Sequence, residues 1–118
     1  MRILDLGCSR GLSSIFLAQK YEAEVFAVDL WISSSDNYVR FQKKGVAQRT
    51  IPLQLDATKL PFAENFFDAV VSIDSYHYFG NNNTYFEKIL KPTLKKGAMV
   101  AFAFPGMKKN SMRIFQKK

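Results

Sequence analysis

The chain has 118 residues, 47 % of them apolar, with a formal charge of +7 at neutral pH. That is the size of one domain with one aromatic-rich core, taken here as residues 1–118. A single cysteine, Cys8, excludes an internal disulfide, and no apolar run approaches the roughly 20 residues of a membrane-spanning helix. The opening MRILDLG enters an apolar strand with no signal-peptide layout, so a cytoplasmic location is expected.

In chain order, Ile3 to Leu6 reads as a first strand, and Leu12, Ile15 and Phe16 then fall at i, i+3, i+4, a helical stripe. Val25 to Val28 is a second strand, closed by Asp29. Ser33 to Asp36 offers N-caps for a helix ending near Gly45. Ile51 to Leu55 is a third strand, ended by Asp56. Phe67 to Ile73 is a fourth, a continuous apolar run of the kind buried in parallel sheets. Thr84 to Leu90 suits a short helix stopped by Pro92, after which Lys96-Gly97 turns into a fifth strand, Met99 to Phe104. This alternation predicts an open, mostly parallel α/β sheet. Charge is segregated: residues 1–87 hold eight basic and ten acidic side chains, whereas residues 88–118 hold nine basic and none acidic. Such a tail can attract nucleic acid or an anionic membrane, although charge runs are usually a solvated face.

The informative segment is Asp5-Leu6-Gly7-Cys8-Ser9-Arg10-Gly11, which follows a strand and opens a helix. Glycines let a ligand approach the backbone, and a helix N-terminus favours a negative group. The spacing is poor for a dinucleotide loop, because Ser9 and Leu12 stand where the second and third glycines belong. The Gly-Lys-Ser/Thr ending of a phosphate loop is absent. Gly7-Cys8-Ser9-Arg10-Gly11 does match the G-x-S-x-G nucleophile elbow, but the sole histidine, His77, falls too early for that fold. What remains is an acid two residues before the first glycine. Asp5 can face the ammonium of a bound amino acid, directly or through water. Asp29 can accept both hydroxyls of a ribose, and Asp56 can meet an adenine amino group. The three acids end successive strands at the carboxyl edge of the sheet, where open α/β folds bind ligands.

With these segments the sequence resembles the class I S-adenosylmethionine (SAM)-dependent methyltransferases, closest to the branch acting on small-molecule and lipid-like acceptors. ILDLGCSRG resembles their first motif, VFAVDLW the segment with the ribose-binding acid, LDATKLPFAENFFDAVVSIDSYHYF the stretch through the fourth strand, and ILKPTLKKGAMVAFAFPG the entry to the fifth. The resemblance implies a three-layer Rossmann-like fold with strand order 3-2-1-4-5, truncated at both ends and lacking the usual last two strands. It implies SAM as cofactor and S-adenosylhomocysteine as product, with no metal. Asp5, Gly7, Ser9 and Gly11 would hold the methionine end, Ser9 departing from the usual glycine. Asp29 would hold the ribose, with Leu30 and Trp31 beside the adenine and Asp56 and Ala57 at its edge. Trp31 is as nearly read as a half-buried core residue, and Cys8 as a small packing residue. Asp74, Ser75 and Tyr76 would follow the fourth strand near the reactive methyl, with His77 as a base where the acceptor must lose a proton. A SAM-binding module without turnover and an RNA methyltransferase are the alternatives. The bare edge of the fifth strand is a pairing hazard, so it should be covered by the basic tail or by a second copy in a homodimer.

Overall fold

The computed structural model describes residues 1–73, 85–103 and 113–116. Their elements in chain order are β1 (Arg2–Leu6), α1 (Leu12–Lys20), β2 (Glu24–Asp29), α2 (Ser34–Lys43), β3 (Thr50–Gln54), β4 (Phe67–Ile73), β5 (Leu94–Ala103) and β6 (Arg113–Gln116). They form one sheet in the order β3-β2-β1-β4-β5-β6. β1 to β5 run parallel, and β6 pairs antiparallel with β5. The expected α/β sheet with order 3-2-1-4-5 is present.

Strand side chains alternate between faces, and this divides the core in two. Leu4, Leu6, Val28, Val70 and Val100 pack with Phe67, Leu90 and Leu94 on one side. Phe26, Phe62, Phe66 and Phe67 meet there, mostly edge to face, with centroids 4.8–6.0 Å apart. On the other side Val25, Ala27, Ile15, Ala18, Phe41 and Val46 pack beneath α1 and α2. Pro52 is tolerated in β3 because that strand lies at the sheet edge. α2 begins as its sequence suggests: Ser33 is the N-cap and its Oγ accepts from the Asp36 N–H at 3.1 Å. Just past its end Gly45 takes a φ of +73°.

The structure departs from the sequence reading in four places. The buried face of α1 is Ser14, Ile15 and Ala18, while Leu12 and Phe16 are exposed. Lys96-Gly97 is not a turn before β5. The strand starts at Leu94, and its register against β4 jumps from Phe67↔Leu94 to Ala69↔Met99, so these residues form a bulge, with Gly97 at φ +82°. The short helix is a π-helical turn, Phe86–Leu90, running into a 3-10 turn, Lys91–Thr93, that contains Pro92. Finally, the basic tail covers the edge of the fifth strand, as expected, but does so as an added strand, where both of the last two strands were expected to be missing. β6 pairs with β5 from Met99 to Phe102 and occupies that stretch of edge.

Candidate functional site

The segment between β1 and α1 is held mainly by backbone bonds. The N–H groups of Gly7 and Cys8 both donate to the Val28 carbonyl, at 2.8 and 2.9 Å, tying the turn to β2. Gly7, Ser9 and Gly11 all have positive φ, at +75°, +53° and +83°. Glycine adopts this region freely, whereas for serine it costs about 1 kcal/mol or more. Ser9 is kept there by its neighbours: its N–H donates to Asp29 Oδ2 at 2.8 Å, and its carbonyl accepts from Asn37 Nδ2 at 2.9 Å. Gly11 is the N-cap of α1 and, having no side chain, gives that helix no side-chain cap.

The three strand-end acids differ sharply. Asp29 ends β2 and is 8 % exposed. Its Oδ1 accepts from the N–H groups of Trp31 and Ile32, at 2.8 and 3.1 Å, so one carboxylate organises two loops. Asp5 is fully buried beneath α1. Its Oδ2 accepts from Ser13 Oγ and Ser14 Oγ at 2.6 and 2.7 Å, and its Oδ1 has no partner among the described residues. Burial pushes its carboxyl above the usual range, against the two serine hydrogen bonds. Asp56 lies beyond the end of β3 and is exposed. Its Oδ1 accepts from Thr58 Oγ1 and Thr58 N–H, at 2.7 and 2.9 Å, and these bonds hold the carboxyl below its usual range.

A cavity of about 1700 Å³ opens along these loops. Gly7, Ser9, Asp29, Leu30, Trp31, Asp56 and Ala57 all line it, so most of the residues singled out for a cofactor share one space. Asp5 and Gly11 are not on its wall. Asp5 sits behind Ser13, which is on the wall, and Gly11 packs against Phe41. Trp31 is 84 % exposed and lies on the wall, which excludes the reading as a core tryptophan. Cys8 is buried, and burial raises its thiol far above the usual range, consistent with a packing role. Asp74, Ser75, Tyr76 and His77 lie outside the described residues.

Sequence reasoning missed two features. Phe16 and Leu17 of α1, with Val71 and Met99 on the strands, extend the cavity wall, and nothing in their sequence context singled them out for a site. A smaller cavity of about 270 Å³ lies between α1 and α2, lined by Arg10, Arg40, Lys43 and Lys44 with Leu12 and Ile15. No carboxylate pairs with these four cations among the described residues. Arg40, Lys43 and Lys44, in the last turn and C-cap of α2, stand at i, i+3, i+4, a visible signal, but Arg10 joins them only through the tertiary fold.

A parallel sheet of this order, a glycine turn into α1 and acids at the end of β2 and just past β3 define an α/β domain of the kind that binds ligands at the carboxyl edge of its sheet. Comparison narrows this further, since residues 3–97 match the methyltransferase domain family, and the chain belongs to it. It is 29 % identical to phosphoethanolamine N-methyltransferase 1 of Triticum aestivum over 84 % of its own length and 20 % of that protein's. It is also 29 % identical to the tRNA (carboxymethyluridine(34)-5-O)-methyltransferase of Schizosaccharomyces pombe, over 97 % of this chain and 46 % of that protein. The chain thus spans less than half the length of these curated relatives. Among solved structures, geranyl diphosphate C-methyltransferase from Streptomyces coelicolor, in complex with Mg2+, geranyl diphosphate and S-adenosylhomocysteine, superposes with a TM-score of 0.77 at 18 % identity. That match covers 86 % of this chain and 37 % of that one. No helix among the described residues is long and apolar enough to cross a membrane.

Proposed function

We propose that the chain is the SAM-binding part of a methyltransferase acting on a small-molecule or lipid-like acceptor. The carrying observation is Asp29, a strand-end carboxylate on the cavity wall beside the bare indole of Trp31. A ribose with an adjoining adenine presents hydroxyl donors and a flat apolar ring in that order. The donor set fits the rest of the cofactor as well. The uncapped start of α1 and Ser13 suit the methionine end, and Asp56 with Ala57 suits the adenine edge. SAM supplies a methyl group on a sulfonium whose leaving group is already activated. The protein's task is then to hold the acceptor in line and keep water away. His77, Asp74 and Tyr76 are the candidates beside the acceptor, with His77 taking a proton where the chemistry requires it. The phosphoethanolamine and geranyl diphosphate enzymes among the similar proteins support a small acceptor.

Calorimetric titration with SAM and S-adenosylhomocysteine tests the reading. Micromolar binding is expected, and Asp29→Ala should weaken it at least tenfold, about 1.4 kcal/mol. A folded chain that binds neither ligand, or an Asp29→Ala variant with unchanged affinity, removes the assignment.

A second reading, an RNA methyltransferase, is favoured by the four cations between α1 and α2, which have no carboxylate partner among the described residues, and by the tRNA enzyme that matches 97 % of the chain. It predicts salt-dependent binding of a short single-stranded RNA, with a shallower salt slope for the Lys43→Glu/Lys44→Glu double variant. Absence of RNA binding in low salt eliminates it.

A further inference from the structure

α2 contributes two buried side chains, Asn37 and Phe41. Four residues apart, they share one face of the helix, and both meet the glycine turn. The Phe41 ring fills the space beside Gly11, where a Cβ would stand 2.5 Å from Cε1. Asn37 is 2 % exposed and donates through Nδ2 to the Ser9 carbonyl. A buried amide in mid-helix is costly unless its groups are bonded, and its oxygen and nitrogen can be interchanged without changing its outline. Arg40 settles which is which. A guanidinium only donates, and Arg40 Nη1 lies 2.8 Å from Asn37 Oδ1. The oxygen therefore faces Arg40, and the NH2 group faces Ser9.

Ser9 is where such a clamp is required. Its φ of +53° is unfavourable for a residue with a Cβ. Its two backbone groups are held from opposite sides, the N–H by Asp29 at the end of β2 and the carbonyl by Asn37 of α2. Releasing either side lets the turn relax toward ordinary backbone angles.

We infer that Asn37 is a positioning residue for cofactor binding: oriented by Arg40, it fixes the Ser9 carbonyl and with it the 7–11 backbone that meets the methionine end of SAM. This rests on the reading of the cavity as a SAM site. Asn37 is not on the cavity wall, so it acts only through the turn. Its influence is accordingly greatest on the part of the ligand that the turn meets, because Asp29, although it also takes the Ser9 N–H, is held independently through Oδ1 by the N–H groups of Trp31 and Ile32.

The test uses two variants and two ligands. Asn37→Ala removes the clamp. Asn37→Asp keeps the size and the Arg40 contact but turns an acceptor oxygen toward the Ser9 carbonyl. Each is titrated with SAM and with 5′-methylthioadenosine, which has the adenine and ribose but no amino-acid end. Both variants should bind SAM about tenfold more weakly and methylthioadenosine within about twofold of the parent chain. Equal losses for the two ligands, or no loss for SAM, overturn the inference. In the ligand-free variants, amide hydrogen exchange at Gly11, whose N–H donates to the Cys8 carbonyl at 2.9 Å, should quicken while Val70 in β4 stays protected. Unchanged exchange at Gly11 overturns the clamp whatever the cavity binds. If the parent chain binds neither ligand yet Gly11 responds, the cofactor role falls with the reading of the cavity and the clamp on the turn stands.

Discussion

Asp5 and Asp29 occupy similar positions on neighbouring parallel strands, yet the ends of β1 and β2 are built for different purposes. At β1 the carboxylate is sealed under α1, bonded to two serine hydroxyls, with one oxygen unpartnered among the described residues. At β2 the carboxylate takes three backbone N–H groups and lies on the wall of the large cavity. One acid supports the turn from behind, while the other both supports it and faces the ligand space. An acid at a strand end is therefore not by itself a ligand contact. What decides is the element that follows: α1 folds back over Asp5 with Ser13 and Ser14, whereas the chain after Asp29 swings outward through Leu30 and Trp31, both exposed.

The sealed side is the easier of the two to break. Gly11→Ala attacks it by placing a Cβ against Phe41 at a residue whose φ is +83°. Left-handed strain and overpacking together should cost about 2–4 kcal/mol, read as a lower urea midpoint at unchanged slope. A loss under about 1 kcal/mol would mean that Phe41 moves aside and that the turn is less tightly backed than the contact implies.

Much of this arrangement is visible in the sequence, because strands buried on both faces are apolar runs and their ends are marked by charge. Ile3 to Leu6, Val25 to Val28 and Phe67 to Ile73 all lie within observed strands. Of the three residues of the α1 stripe only Ile15 is buried, so the period was right but the face was displaced. Leu12 and Phe16 are apolar like core residues, and only the tertiary fold turns Ser14 toward Asp5 and leaves Phe16 on the cavity wall. That the basic tail can cover the fifth strand's edge was legible, but β6 as a strand was not, because RIFQ is a short segment and its pairing depends on a neighbouring edge rather than on its own pattern. Asn37 gave no signal, since a polar residue in mid-helix reads as solvent-facing until α2 is seen packed against the turn.

The smallest expected effect separates the two acids by pH. Burial raises the Asp5 carboxyl above its usual value, so the folded chain holds that proton more tightly than the unfolded chain does. The stability from this group is fully present below the ordinary aspartate range and is lost as pH climbs through the raised folded value. Asp5→Asn is neutral throughout. It puts an amide NH2 in place of Oδ1, which has no partner among the described residues, so its offset at any one pH can have either sign. The slope is what carries the comparison. The melting temperature of Asp5→Asn should gain on the parent chain as pH rises from about 4 toward 7. Asp56 and Asp68 are shifted in the opposite direction, but they are present in both proteins and drop out of the difference. A constant difference across that range would show that Asp5 ionises as freely as a carboxylate in water, and the contrast between a sealed β1 end and an open β2 end would then rest on packing alone.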